Sequence, residues 1–199
     1  MEILFEDKDL AVCLKPVGKD AEHEVPVQLA AQLGGEIFTV HRLDKNVGGV
    51  MVYARNKNAA AQLSRLIQEG AMVKEYMAQV HGTPPEEGDW EDLLFKDSRK
   101  NKVFVVDRKR AGVKAARLTF RRLRAGECSQ VEIRLYTGRS HQIRVQFASR
   151  GYPLVGDRKY GAKDDVKEPM LYSFRITFPW KGKTVQFTHT PSWCESTAD

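Results

Sequence analysis

The chain has no apolar run near the roughly 18 to 20 residues that a membrane-spanning helix requires, so no membrane partner is expected. Its first residues, MEILFEDKDL, carry acidic side chains where a secretory signal would be basic and then apolar, and we expect a cytoplasmic protein. Cysteine is scarce. Cys13, Cys128 and Cys194 are odd in number and far apart, with no C-x-x-C pair and no histidine spacing that would suggest zinc or redox chemistry. The segment GDRKYGAK (156–163) approaches a phosphate-binding loop, but alanine stands where the lysine should follow the second glycine. HRLD (41–44) approaches the kinase His-Arg-Asp, yet the glycine-rich loop and the Asp-Phe-Gly magnesium site are missing. No dinucleotide fingerprint or metal-ligand spacing occurs either. We therefore expect no cofactor and no metal, and chemistry run by side chains through nucleophilic or acid–base work.

What is present is charge, unevenly placed. Between Lys96 and Arg124, twelve Lys or Arg stand against Asp97 and Asp107, making this stretch +10 within a chain of net charge +6 and leaving −4 for the remainder. Such a segment is the footprint of a polyanion partner, because each phosphate it neutralises releases condensed counterions. A solvated basic hairpin would look the same.

At 199 residues and 42% hydrophobic, the chain can bury a core and falls in the range of one domain. EILFE and DLAVCLKP read as short strands, the second closed by the turn Lys15-Pro16-Val17-Gly18. PVQLAAQLGG places Pro26 at a helix start and Gly34-Gly35 past its end. EIFTV reads as a strand running into His41. Asn56 can cap a helix with Leu63, Leu66 and Ile67 on one face and Gly70 as its stop. MVKEYMAQVHG has strand composition. KVFVV and RLTFRRLR, joined by the charged DRKRAG, read as a projecting β-hairpin at about 96–124. SQVEIRLY turns Val131, Ile133 and Leu135 inward, and Ser140 can cap a helix closed by Gly151. The final pair is MLYSFRITF and TVQFTH, with Met170, Tyr172, Phe174, Ile176 and Phe178 on one apolar face. The fold class expected is α+β, a mixed, mostly antiparallel sheet with helices packed on it.

Three residues could supply chemistry, each with an ordinary alternative. Asp44 could be a turn residue before glycine, Tyr76 could pack on its strand, and Arg144 could be a solvated helix residue. In order along the chain, however, HRLD followed by glycine and an apolar strand, then KEYMAQVHG, then GRSHQIRVQFASRGYPLVGDRKYG, then LYSFRITFP, is similar to the RluA family of RNA pseudouridine synthases, as is the opening EILFEDKDLAVCLKPVG.

The resemblance implies a single catalytic domain over 1–199 in the pseudouridine synthase fold, with a cleft across its sheet and without the small N-terminal RNA-binding domain many relatives carry. It implies an isomerase that breaks the C1′–N1 bond of a flipped-out uridine in ribosomal or transfer RNA and rejoins the ribose to C5. The alternative is an RNA-binding or RNA-folding protein on the same scaffold. Asp44 matches the catalytic aspartate, acting on ribose or on uracil. Arg144 matches the arginine that pairs with it, and Tyr76 the tyrosine that lies against the base. Arg42 resembles the residue that fills the vacated space. His41 is either a helper at the RNA backbone or a packed histidine. Arg139, His141, Gln142 and Leu171 complete the expected substrate-binding set. Lys100, Lys102, Arg108, Lys109, Arg110 and Lys114 would hold the backbone of an RNA stem-loop; DNA is not an expected partner, and a monomer is expected. One departure stands out: Val47-Gly48-Gly49 occupies the place where the family usually carries Thr-Ser-Gly.

Overall fold

The computed structural model describes residues 1–194. The chain divides into two compact units, residues 1–74 with 172–199, and residues 75–171. The first contains β1 (Ile3–Glu6), β2 (Leu10–Lys15), α1 (Glu24–Leu33), β3 (Phe38–Thr39), β4 (Gly48–Ala54) and α2 (Lys57–Gln68). The second contains β5 (Val73–His81) from Glu75 on, then β6 (Glu87–Asp97), β7 (Lys102–Val106), β8 (Val113–Arg124), β9 (Cys128–Leu135) and α3 (Gln142–Ala148). The chain returns to the first unit with β10 (Leu171–Trp180) and β11 (Lys183–Thr188).

In the first unit the strands run in the order β1-β2-β4-β10, with β11 on β10 and β3 on β4. All these pairs are antiparallel except β4 with β10. Seven consecutive buried residues in β4 are the apolar run that follows HRLD, buried because the strand is flanked on both edges and covered by α2. Helix α2 forms as its sequence dictates. The Asn56 side chain accepts from the Ala59 N–H at 2.9 Å, and Ala59 and Leu63 pack on Val50, Val52, Ile176 and Phe178. Gly70, at φ +71°, supplies the left-handed exit. Helix α1 starts two residues before Pro26 and is closed by Gly34 at φ +73°.

In the second unit the order is β5-β9-β8-β6-β7. This corrects the expected hairpin: β7 and β8 do not pair with each other, because β6 lies between them. Leu93 of β6 faces Val106 of β7 on one edge and Ala115 of β8 on the other. The strand missed in the sequence, EGDWEDLLFKD, alternates acids with mostly apolar residues. Glu87, Asp89 and Glu91 point outward; Trp90 and Leu94 point in. The inner face packs against α3 through a triangle of rings, with Trp90, Phe120 and Phe147 centroids 4.4 to 5.1 Å apart.

The sheets are mixed and mostly antiparallel with helices packed on them, as the strand patterns indicated. Helix α3 begins later than expected. Ser140 does not cap it; His141 takes that place in a left-handed conformation, φ +50°. The reason is Gln142, whose Oε1 accepts from the Thr137 hydroxyl at 2.8 Å and the Arg139 N–H at 3.0 Å. The turn TGRS is folded onto the first helical side chain, so the helix cannot start before it.

Candidate active site

The HRLDK segment owes its shape to what lies on either side of it. Leu43 and Val47 are buried, while Arg42 is exposed and Asp44 half-buried. The leucine is an anchor that holds its charged neighbours at the surface. The Val47 N–H donates to the Asp44 carbonyl at 3.0 Å, closing a tight turn. Gly49 then enters β4 at φ +123°, where a Cβ would collide with the backbone carbonyl of Ser173 and stand 2.7 Å from its nitrogen. Only glycine fits there. Gly48 is crowded too: a Cβ would lie 3.2 Å from both the Lys15 carbonyl and a Val17 methyl. The departure at residues 47–49 therefore agrees with this chain's own packing.

Lys15 is the residue that sequence reasoning missed. It is 1% exposed, and its ammonium donates to the carbonyls of Pro16 at 2.9 Å, Lys19 at 2.7 Å and Lys45 at 3.1 Å. Three donors meet three acceptors. The Gly18 N–H reaches the same Lys45 carbonyl at 2.8 Å, so the residue after Asp44 is pinned twice. Burial pulls the Lys15 ammonium down to about 8, against the opposing pull of Asp20, Asp44 and Glu24. A lone lysine closing an otherwise apolar strand was the available signal.

His41 takes the packed alternative. Its Nε2 accepts from the Val52 N–H at 3.1 Å, continuing along β4 where β3 has ended. The ring proton therefore sits on Nδ1. Burial, and next the charge of Lys74, push the imidazole down to about 3, so it is neutral at ordinary pH. Arg42 projects outward, its Nη1 2.7 Å from Glu22 in an exposed pair.

The second unit holds Tyr76, Arg139, His141, Gln142, Arg144 and Leu171. Tyr76 and Leu171 are buried. Arg144 is held by a partner that the sequence did not single out: its Nε donates to Asp157 Oδ2 at 2.6 Å and its Nη2 to Oδ1 at 2.8 Å. Arginine and aspartate are 8% and 1% exposed. This planar fork fixes the guanidinium from behind, and Tyr160 lies under it, 5.2 Å from ring centroid to guanidinium carbon. The Tyr160 hydroxyl accepts from the Val103 N–H at 2.9 Å and shares a second hydrogen bond, also 2.9 Å, with Nδ1 of His141. Asp157 and Tyr160 both lie in GDRKYG, the segment that approached a phosphate loop and that closes the family-like stretch begun at GRSHQIRV. Gln142, expected to touch substrate, is buried; its amide nitrogen donates to the Arg117 carbonyl at 3.0 Å, and its oxygen holds the preceding turn. It positions the motif. Arg139 reaches back to the Ala115 carbonyl at 2.9 Å and remains exposed.

The basic stretch is not one patch. Arg117 forms a bidentate pair with Asp89 at 3.0 and 2.7 Å, Arg121 reaches Glu132 at 3.2 Å, and Arg122 donates to the Pro84 carbonyl. Arg117 and Arg121 thus neutralise carboxylates on neighbouring strands. The remaining expected contacts cluster at strand ends: Lys100 and Lys102 by the β6–β7 turn, Arg108, Lys109 and Arg110 in the loop before β8, and Lys114 at its start. Lys102 sits 5.3 Å from the Tyr160 ring centroid and 5.8 Å from that of Phe104, and Arg110 lies 4.7 Å from Phe95.

The fold is shared with known pseudouridylate synthases. The human RNA pseudouridylate synthase domain containing 1 superimposes with a TM-score of 0.83 over 96% of this chain and 83% of its own, at 24% identity, which bears on the fold alone. In sequence, an uncharacterized RNA pseudouridine synthase of Aquifex aeolicus is 32% identical across 94% of this chain and 68% of its own length. The ribosomal large subunit pseudouridine synthase D of Neisseria meningitidis serogroup B is 31% identical across 94% of this chain, which spans 57% of that relative. Residues 9–149 match the RNA pseudouridylate synthase family model. The chain belongs to that family, as its RluA-like motifs led us to expect.

Proposed function

We propose that this chain isomerises specific uridines in RNA to pseudouridine, with Asp44 as the reacting carboxylate. The observation that carries the reading is family membership over residues 9–149 in a chain that retains Asp44 and Tyr76 within the motifs of the family. The reaction gains and loses no atoms, so it asks for a carboxylate, a cation to keep it charged and room for the detached uracil to turn. Arg144 supplies the cation in this reading, already fixed in direction by Asp157. Tyr76 stacks on the base; a phenol with an ordinary pKa near 10 is a poor proton acceptor at neutral pH. Arg42 enters the space left by the flipped base, which requires it to leave Glu22. Exposed ion pairs of this kind are worth at most about 1 kcal/mol, small beside the few kcal/mol of extruding a base.

The RNA is ribosomal or transfer RNA presented as a stem-loop, and the Neisseria relative, named for the ribosomal large subunit, makes ribosomal RNA the first substrate to try. The test is incubation with RNA tritiated at uracil C5. Release of tritium by the wild type, abolished in Asp44→Ala, is expected. Binding without release would favour the RNA-binding alternative, and chain cleavage would point to a nuclease.

A further inference from the structure

The far end of β5 holds a cluster for which the isomerisation has no use. His81, the last residue of β5, lies between Cys128, the first of β9, and Asp164. Its Nε2 is 2.6 Å from Asp164 Oδ2 and its Nδ1 is 3.8 Å from the Cys128 sulfur. The carboxylate is locked in place: both oxygens lie 3.1 Å from the Gly156 nitrogen, and Oδ1 also accepts from the Val166 N–H at 2.9 Å. Burial alone would raise this carboxyl, but the donors from Gly156, His81 and Val166 outweigh it and hold it down at about 2. An ionised carboxylate only accepts, so the imidazole proton facing it sits on Nε2 and the Nδ1 lone pair faces the thiol.

The thiol is equally well placed. The Gly82 N–H donates to the Glu127 carbonyl at 2.8 Å, the Ser129 hydroxyl to the Gly82 carbonyl at 2.7 Å, and Gly82 bridges to Cys128 itself. Cys128 is exposed, and the side chains of His81 and Asp164 are 33% and 19% exposed, so the group opens to solvent. Cys13, by contrast, is buried, and its thiol is pushed up to about 12. Among the described residues no group of three His, Cys, Asp or Glu is arranged to hold a metal ion. What remains is a nucleophile, a base within reach of it and a third group orienting the base.

We propose that Cys128 is an activated thiol that forms mixed disulfides with small disulfide compounds, His81 taking its proton and Asp164 orienting the imidazole. The S–H proton passes to Nδ1, the thiolate attacks one sulfur of R–S–S–R, and that S–S bond breaks as the new one forms. The departing thiolate takes the proton from the imidazolium. The Cys128 sulfur is oxidised and the leaving sulfur reduced, so electrons and atoms balance.

Burial, followed by the charges of Glu127 and Asp164, raises the Cys128 thiol. Such a thiol is slow unless its proton passes to the imidazole 3.8 Å away, which makes His81 a sharp control. The experiment treats the full chain at neutral pH with dithiodipyridine, an uncharged disulfide that Glu127 does not repel. Released thiopyridone gives the rate, and the peptide adduct gives the residue. Cys128 should react about tenfold or more faster than N-acetylcysteine, His81→Gln should bring it below that reference, and Asp164→Asn should fall between. A wild-type rate no faster than N-acetylcysteine, which needs no variant to measure, would overturn the proposal, as would an unchanged rate in His81→Gln.

Discussion

A neutral imidazole that accepts a backbone N–H ties the stability of this protein to pH through one side chain. His41 has an ordinary value of 6.5 and a folded value of about 3, so between these the unfolded chain binds the proton more readily. The contribution is fully present above pH 6.5 and is lost as pH falls toward 3. At pH 5 the protein should be about 2 kcal/mol less stable than at pH 7.5 on this account. Chemical denaturation of the wild type and His41→Phe at both pH values checks it: the variant should lose that part of the acid sensitivity, and equal pH dependence in the two would remove His41 from the explanation. Residue identities near Asp44 were partly legible beforehand. The alternation of Arg42, Leu43 and Asp44 could be read as surface, core, surface, but no local pattern could show that Lys15, thirty residues away in the chain, would seat its ammonium on the carbonyl of Lys45.

Elements driven by local patterns were the ones legible in the sequence. Helix α2 announced itself through Asn56 and its apolar stripe, and β10 through strict alternation of large apolar residues. Strand β6 went unread because acids fill its alternate positions; their meaning lies in Arg117 and Arg121 across the sheet, a pairing that sequence spacing does not encode. The start of α3 was misplaced for a similar reason, since Gln142 turns back on residues that looked like its cap. Arg144 on α3 shows the cost of such hidden partners. Its fork with Asp157 ties the helix to the segment ahead of the 3₁₀ turn Arg158–Tyr160. Asp157→Asn keeps the shape and removes the charge, leaving the guanidinium without its bidentate counter-ion in a buried place. A loss of about 3 kcal/mol is expected from thermal or urea unfolding, together, on the proposed function, with a fall in isomerase activity as Arg144 loses its direction. A loss below about 1 kcal/mol would mean that the pair behaves as a surface bridge.

Across the whole molecule, net charge misleads unless each cation is weighed with its neighbours. The stretch from Lys96 to Arg124 carries +10, yet the outer face of the β6-β8-β9 sheet interleaves Glu87, Asp89, Glu91 and Glu132 with Arg117, Arg121 and Arg134. Four acids against three bases make that face a poor surface for phosphate. On the proposed function, the field that attracts RNA comes from the strand ends, above all Arg108, Lys109 and Arg110, which are exposed between β7 and β8. Phosphate contacts set affinity and its salt dependence without reading sequence. Replacing these three by alanine should flatten the plot of log affinity against log salt by about 0.7 to 0.9 for each phosphate left without its cation, or roughly 2 in all. Replacing Arg117 and Arg121 should leave that slope nearly unchanged, since each would expose a carboxylate that it had neutralised rather than release a phosphate. Fluorescence anisotropy with a labelled stem-loop across a salt series distinguishes the two sets. Equal slopes for both variants would return the RNA to the sheet face and overturn the division of charge drawn from the strand pairing.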